Sequence, residues 1–141
     1  MNTEDKKQIV NELNLTFLKA GELSLLLRKQ GLIKEIKLDN TPVTNGDIEV
    51  NKIITNKIKE LTTEIPIVSE ESTSNKINEN LKTFWLIDPI DGTHDYIHNK
   101  DEFTINAALI INNRPEIGII YAPAKKRLFY SYGKNLSFEL I

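Results

Sequence analysis

The stretch that most constrains this chain is an apolar run that ends in a turn rich in carboxylates. Phe84 to Ile87 is apolar, and Asp88-Pro89-Ile90-Asp91-Gly92-Thr93 follows it directly. A short apolar run bounded by turn residues predicts a buried strand. Since proline and glycine interrupt regular structure, we expect Pro89 and Gly92 to end the strand in a tight turn. Both aspartates then converge at the strand end, where free backbone N–H groups also suit a phosphate.

A third carboxylate follows another apolar segment. Ile65 to Val68 predicts a short strand, and Ser69-Glu70-Glu71 comes directly after it. If this strand lies beside the first one, Glu70 joins the two aspartates. Three carboxylates and a backbone carbonyl such as that of Ile90 form an oxygen site with open positions, which suits Mg²⁺ and the oxygens of a substrate phosphate. Two ions bridged by one carboxylate activate a water and stabilise the leaving oxygen.

The glycine and the hydroxyl of the turn suit phosphate chemistry. Gly92 lets the backbone approach a phosphate, and the N–H groups around Gly92 and Thr93 hold it. The Thr93 hydroxyl orients an attacking water if a carboxylate accepts its proton, and Asp47 is the candidate. Thr44 and Asp47 also fit a helix capping box, with Asp47 at N3, so a structural role for Asp47 is an equally good interpretation.

Other interpretations of the turn compete with this one. Proline and Asp-Gly are favoured turn residues in any strand connection, and a turn alone explains most Asp-Gly pairs. Haloacid-dehalogenase-type phosphatases use Asp-x-Asp-x-Thr, whereas two residues, one of them Pro89, separate the aspartates here, which disfavours an aspartyl-phosphate. A Ca²⁺-binding structural module is weaker still, since the sequence has no Asp-x-Asp-x-Asp-Gly loop with a later Glu.

The composition excludes several kinds of site. The 141 residues include no cysteine and only two histidines, so disulfides and thiolate metal sites are excluded and any metal is held by oxygen. The net charge of −2 and the lack of a basic block argue against a nucleic-acid polymer as partner. No stretch approaches the roughly 20 apolar residues of a membrane span, and the polar N-terminus lacks the apolar core of a signal peptide. We therefore expect a soluble cytoplasmic protein.

Two helices open the predicted fold. Thr3 to Lys29 repeats apolar residues at helical spacing, with Thr3 as the N-cap and Gly31 as the stop. Leu32 to Leu38 predicts an edge strand whose lysines face water, and 39–47 predicts a turn-rich loop. The second helix follows, and its predicted buried face comprises Ile54, Ile58 and Leu61.

Strands dominate the rest of the chain. Ser72 to Lys82 is polar and predicts a loop or flap, and strands are predicted over 101–112, 117–121, 127–132 and from 136 onward. Two helices followed by strands predict an α+β fold, a single domain over 1–141 with two N-terminal helices packed on an antiparallel sheet. An unpaired sheet edge and an apolar sheet face would favour self-association.

These residues resemble a known family. Trp85-x-x-Asp88-Pro89-x-Asp91-Gly92-Thr93, preceded by Ser69-Glu70-Glu71, resembles the inositol monophosphatase superfamily of Mg²⁺-dependent, lithium-sensitive phosphatases. Three more stretches are similar to its CysQ branch, the 3′(2′),5′-bisphosphate nucleotidases: Lys37-x-Asp39-x-x-Pro42-Val43-Thr44-x-x-Asp47, Asp101-Glu102-Phe103-Thr104-Ile105-Asn106-x-Ala108-Leu109-Ile110 and Gly118-x-x-Tyr121-Ala122-Pro123. The resemblance runs from the first helix to about Ser131.

The resemblance implies a fold, a reaction and a set of residue roles. The implied fold is the N-terminal half of the sugar-phosphatase, or inositol monophosphatase-like, fold. The implied ligands of two or more Mg²⁺ ions are Glu70, Asp88, the Ile90 carbonyl and Asp91. The implied substrate-binding residues are Glu70, Ile90, Asp91, Gly92 and Thr93, with Asp47 and Thr93 as the catalytic pair that activates the water. The implied reaction removes the 3′-phosphate of adenosine 3′,5′-bisphosphate, giving AMP, and intermediates of sulfur assimilation are related substrates.

The chain also departs from the family pattern. The family usually has Ala at the position of Gly46, so we expect a looser start of the second helix. The branch usually has Lys-Glu-Phe where this chain has His94-Asp95-Tyr96, which puts a cation on the substrate side in doubt. The family has a second half of comparable size with a Trp-Asp motif, and this sequence contains no such motif.

The missing half shapes the expected function. We expect a truncated phosphatase with little or no activity alone, and whether it is complete in chemistry or completed by another chain stays open. The alternatives are a non-catalytic remnant of a CysQ-like gene and an inositol-phosphate-type monophosphatase. A position at the periphery of the inner membrane, as in some relatives, is compatible with the sequence.

Overall fold

The computed structural model describes residues 1–71 and 80–140, so residues 72–79 of the predicted Ser72–Lys82 loop lie outside it. The helices are α1 (Thr3–Gln30), α2 (Asn45–Leu61), α3 (Thr93–Ile97) and a 3₁₀ turn over Pro123–Lys125. The strands are β1 (Lys34–Ile36), β2 (Pro42–Thr44), β3 (Ile67–Ser69), β4 (Phe84–Asp91), β5 (Thr104–Ile111), β6 (Arg114–Ala122), β7 (Arg127–Ser131) and β8 (Ser137–Leu140). The predicted α+β class is confirmed.

Asn2, rather than the predicted Thr3, caps helix α1. Its side chain accepts the Asp5 N–H at 2.8 Å, and the Asp5 carboxylate accepts the Asn2 N–H at 3.0 Å. This reciprocal pair satisfies two backbone donors at the helix end. Gly31 ends the helix with a φ of 99°, as predicted, because a residue without Cβ tolerates that conformation.

The segment before α2 is a hairpin rather than a strand and an irregular loop. Strand β1 pairs antiparallel with β2, which places Glu35 opposite Val43 in a separate two-stranded sheet. The predicted capping box of α2 is confirmed, with Thr44 as N-cap and Asp47 at N3. Within the predicted buried face of α2, Ile54 and Ile58 are fully buried.

The main sheet has the strand order β3-β4-β5-β6-β7-β8. Its neighbours from β4 to β8 pair antiparallel, as predicted. Strand β3 pairs parallel to β4, with Ile67 opposite Trp85 and Ser69 opposite Ile87. The parallel pair makes the carboxyl ends of β3 and β4 point to the same edge of the sheet.

One face of the sheet lies under the helices, and the core forms between them. The largest fully buried side chains there include Phe17 of α1, Ile54 of α2 and Trp85 of β4. The opposite face carries Leu86, Ile120 and Phe129, which are 45%, 51% and 39% exposed, and the register places Ile120 directly opposite Phe129. Among residues 1–71 and 80–140, no helix is both long and apolar enough to cross a bilayer.

Candidate metal and phosphate site

A pocket of about 280 Å³ opens where β3 and β4 end. Its lining includes carboxylate side chains from both strand ends, the turn after β4 and part of the β1–β2 hairpin. Every residue to which the sequence assigned a role there lines this pocket except Asp47, and the lining residues are Lys37, Thr41, Pro42, Glu70, Glu71, Asp88, Ile90, Asp91, Gly92, Thr93 and His94.

The register of β3 against β4 brings Glu70 to Asp88. Ser69 lies opposite Ile87, and the Glu70 N–H approaches the Ile87 carbonyl at 3.4 Å, which extends the parallel pairing by one residue. The condition set by the sequence, that the strand before Glu70 lie beside the strand before Asp88, is therefore met.

Asp88 is the electrostatically strained member of the cluster. Its Oδ1 is buried and accepts no hydrogen bond from the residues that the structure describes. Burial, together with the charges of Glu70 and Asp91 and a hydrogen bond with Glu70, raises the pKa of the Asp88 carboxyl to about 7. A buried carboxylate oxygen without a partner is unfavourable. A cation between these carboxylates would remove both the repulsion and the missing contact.

The carboxylates do not yet enclose an ion. Within the described part of the chain, no three Asp, Glu or His side chains converge closely enough to hold one metal in this conformation. The Glu70 side chain is 55% exposed, and Asp91 is exposed as well. Rotation of these two side chains toward Asp88 would complete an oxygen donor set of the kind that Mg²⁺ prefers.

The contacts of Asp47 confirm its capping role and are compatible with the other interpretation that the sequence left open. Its carboxylate is fully buried. Oδ2 accepts hydrogen bonds from the Thr44 N–H at 2.9 Å and from the Thr44 hydroxyl at 2.5 Å, so it closes the capping box. Oδ1 accepts the Thr93 hydroxyl at 3.1 Å. The cap therefore fixes one oxygen of Asp47 and presents the other to the turn after β4.

Gly92, and not Pro89, ends strand β4. The strand continues through Pro89 to Asp91, with an irregular register between Asp88 and Asp91. Gly92 adopts a left-handed conformation with a φ of 89°, and a Cβ there would lie 2.8 Å from the Glu102 carbonyl oxygen. Both facts require glycine. Helix α3 begins at the next residue.

Thr93, in the turn after β4, lies within hydrogen-bond distance of both Asp47 and Ile90. Besides its contact with Asp47, its hydroxyl lies 3.2 Å from the Ile90 carbonyl oxygen, which is an alternative acceptor. This hydroxyl has one hydrogen to donate and keeps lone pairs for a water. A water held there has a route for its proton through Thr93 to Asp47.

Sequence reasoning missed the roles of Lys37 and Glu71. Lys37 was expected to face water, but its Nζ lies 3.6 Å from Glu71 and 3.7 Å from Glu70. Glu71 has a side chain only 7% exposed, and burial raises the pKa of its carboxyl while Lys37 opposes the shift. The available signal was that both residues belong to the motifs on which the family resemblance rests.

Comparison with known proteins shows the family of this chain. A profile of the inositol monophosphatase family matches residues 5–138. The 3′(2′),5′-bisphosphate nucleotidase CysQ of Haemophilus influenzae is 34% identical over 128 residues, covering 89% of this chain and 47% of that protein.

Solved structures agree in fold. The extragenic suppressor protein SuhB of Bartonella henselae superposes with a TM-score of 0.83 at 25% identity, over 94% of this chain and 52% of that chain. An IMPase/NADP phosphatase complexed with Mg²⁺ and phosphate superposes with a TM-score of 0.77 at 21% identity, over 94% of this chain and 51% of that one, which shows the fold alone.

These matches show the family of the chain and how much of a relative's length the chain spans. The chain spans about half the length of the curated CysQ relative, at 47%. The family profile nevertheless covers nearly all of the chain, including every residue of the candidate site. This chain belongs to the inositol monophosphatase family.

Proposed function

We propose that this chain carries the metal- and phosphate-binding part of a Mg²⁺-dependent phosphatase that removes the 3′-phosphate of adenosine 3′,5′-bisphosphate, giving AMP. The observation that carries the proposal is the buried Asp88 oxygen, which has no partner within residues 1–71 and 80–140 and lies next to Glu70 and Asp91. The CysQ name of the H. influenzae relative supports the choice of a nucleotide bisphosphate as substrate.

In this proposal Glu70, Asp88, Asp91 and the Ile90 carbonyl hold two or more Mg²⁺ ions. When bound, the ions supply charge for the phosphate oxygens and acidify a water. With an ion bound, the exposed Glu70 and Asp91 side chains would turn inward, and the half-buried Asp88 would gain a partner that the described residues do not give its Oδ1. The chemistry of the donors fits, since all are hard oxygens.

Thr93 and Asp47 handle the proton of the attacking water. The water gives its proton to the Thr93 hydroxyl oxygen while that hydroxyl gives its own proton to Asp47 Oδ1, 3.1 Å away. The water oxygen then bonds to phosphorus as the bond from phosphorus to the 3′-oxygen breaks, the leaving 3′-oxygen takes up a proton from solvent, and Asp47 afterwards returns its proton to solvent. The Thr44 cap keeps Asp47 aligned for this transfer, because Oδ2 is fixed by two hydrogen bonds.

The phosphate itself meets the turn after β4. The backbone N–H groups of Gly92 and Thr93 donate to its oxygens, and the same pocket wall brings Glu70, Ile90 and Asp91 close to the substrate. The absence of Cβ at Gly92 allows this close approach.

The proposal also covers where the protein acts and how active this chain is alone. We place the active protein in the cytoplasm. We expect the 141-residue chain alone to hydrolyse its substrate slowly, because it spans about half of the CysQ relative. Leu86, Ile120 and Phe129 leave an apolar sheet face partly exposed, which favours self-association or a completing chain. A position at the inner-membrane periphery is not required by this proposal.

A phosphate-release assay tests the proposal. The purified chain, the H. influenzae relative and an Asp88→Asn variant are given adenosine 3′,5′-bisphosphate with and without Mg²⁺, and Mg²⁺ binding is measured by calorimetry. We expect Mg²⁺ binding that Asp88→Asn abolishes, with release far slower than in the relative. Release as fast as in the relative would contradict the low-activity part, and absence of Mg²⁺ binding would favour the non-catalytic remnant.

A second candidate function is an inositol-phosphate-type monophosphatase. The match of residues 5–138 to the inositol monophosphatase family favours it. The same assay with inositol 1-phosphate distinguishes the two, because the proposal expects the nucleotide bisphosphate to be the better substrate.

A further inference from the structure

Gly46 of α2 lies directly against Tyr96 of α3. A Cβ on Gly46 would stand 2.7 Å from Cε2 and 2.8 Å from Cζ of the Tyr96 ring, and closer still to its hydroxyl oxygen. All three contacts are shorter than real Cβ atoms make, so the tyrosine occupies the space that a methyl group at position 46 would need.

The tyrosine cannot simply move aside. Its side chain is fully buried, and its hydroxyl donates to the Ser24 carbonyl of α1 at 2.6 Å. The ring also lies 4.8 Å from the Phe103 ring, centroid to centroid, and 5.6 Å from the Arg28 guanidinium carbon. Contacts with two residues of α1 and with Phe103 therefore hold it in place.

The backbone does not explain the glycine. The positive φ values among the described glycines belong to Gly31 and Gly92, whereas Gly46 has ordinary helical geometry. Alanine is preferred over glycine inside a helix. Space for the tyrosine is therefore the remaining physical reason for glycine at position 46.

The pair also lies close in sequence to Asp47 and Thr93, the two residues proposed to activate the water. Gly46 immediately precedes Asp47 near the start of α2, and Tyr96 follows Thr93 within the short helix α3. Asp47 and Thr93 are joined by the 3.1 Å hydrogen bond. Any movement of α3 away from α2 would lengthen that bond.

We propose that Gly46 and Tyr96 are a coupled pair of positioning residues, in which the tyrosine hydroxyl takes the volume of a missing methyl and sets the distance between Asp47 and Thr93. The packing part stands on geometry alone. The consequence for phosphate chemistry rests on the proposed function.

A thermal double-mutant cycle tests the packing. We expect Gly46→Ala to lower Tm by about 4 to 10 °C, against its helix propensity, because a methyl is forced into a filled space. Tyr96→Phe loses the bond to Ser24 and lowers Tm by about 2 to 5 °C. In the double variant the ring is no longer anchored and moves into the vacated space, so at least half of the Gly46→Ala loss is recovered.

The controls separate this contact from general effects. Gly118→Ala is the matched glycine change, since a Cβ there meets nothing within 4 Å and φ is not positive. It should change Tm little. A Gly46→Ala protein as stable as the wild type, or a double variant whose loss equals the sum of the two single losses, overturns the proposal. If Gly46→Ala does not fold, the double variant decides, because the proposal requires it to fold.

A positional readout tests the link to the site. The methyl resonance of Thr93 in a ¹H–¹³C spectrum should shift in Gly46→Ala, return toward its wild-type position in the double variant, and stay unchanged in Gly118→Ala. If the Thr93 resonance does not shift in Gly46→Ala, the positioning role of Gly46 and Tyr96 is overturned. Titration of the wild type with inorganic phosphate and Mg²⁺ is read on the same signal. If the Thr93 signal does not respond to phosphate and Mg²⁺, the proposed function is wrong. The packing part, which the thermal cycle tests, still stands in that case.

Discussion

The two halves of the candidate site differ in how far the chain satisfies their polar groups. On one side, the buried Asp47 has its carboxylate bonded to Thr44 and Thr93. On the other, Asp88 has a buried oxygen without a partner in the described residues and acidic neighbours around it. The difference teaches that the fold by itself satisfies the Asp47 carboxylate, whereas the described residues leave one buried oxygen of Asp88 unsatisfied among acidic neighbours, where a cation would be stabilising.

Loss of Asp47 should give the largest effect. Asp47→Ala removes the capping partner of Thr44 and the acceptor of Thr93 from a fully buried position, so we expect a loss of about 2 to 4 kcal/mol in the free energy of unfolding. Urea denaturation measures it. Asp101→Ala, whose exposed carboxylate only reaches Arg28 at 3.8 Å, is the control and should change stability little. An Asp47→Ala protein as stable as this control would break the comparison.

Asp88→Asn should act in the opposite direction. Without metal at about pH 8, it removes an ionised, half-buried carboxylate from an acidic cluster, and we expect a gain of about 1 to 2 kcal/mol after allowance for its exposure. Asp91→Asn, at an exposed position of the same strand, should gain less. Destabilisation by Asp88→Asn without metal would show that this half is satisfied by the chain after all.

The same carboxyl predicts a pH dependence. The pKa of Asp88 is raised to about 7 in the fold, above its ordinary value, so the folded state binds this proton more tightly than the unfolded state. Its contribution to stability is present at low pH and is lost as pH rises through about 7. Stability of the metal-free wild type should therefore fall from about pH 4 to about pH 8 relative to Asp88→Asn. Parallel pH profiles for the two proteins would contradict this.

Lys37→Gln should have the smallest effect. Lys37 places a positive charge within 4 Å of Glu70 and Glu71, where it weakens the negative potential that attracts a cation. We expect Mg²⁺ affinity measured by calorimetry to rise about threefold, roughly 0.6 kcal/mol, and the gain to shrink at high salt. Lys52→Gln, on an exposed helix surface, is the control. Weaker binding in Lys37→Gln would mean that Lys37 organises the acidic residues instead of competing with the ion.

The sequence predicted the parts of this site that local patterns determine. The apolar run before Asp88 and the capping box around Asp47 each lie within a few residues, and both are confirmed. The end of β4 was only partly predicted, because Pro89 fits inside the strand at an irregular register while Gly92 makes the turn.

The rest depends on distant contacts. The pairing of β3 with β4 was posed as a condition, because periodicity gives no partner for a strand. Lys37 was expected in water, since nothing near it in sequence places Glu71 beside it. Gly46 and Tyr96 were two separate departures from a family pattern, and only the structure shows that the tyrosine lies where a Cβ of residue 46 would be.

The most direct test of the account is the thermal stability of wild type and Asp88→Asn at about pH 8, with and without Mg²⁺. A ligand that binds the folded state alone raises Tm in proportion to the logarithm of its concentration. The account predicts that Mg²⁺ raises the Tm of the wild type and leaves that of Asp88→Asn unchanged. Equal responses in the two proteins, or none in either, would contradict the claim that the half around Asp88 is built for a cation.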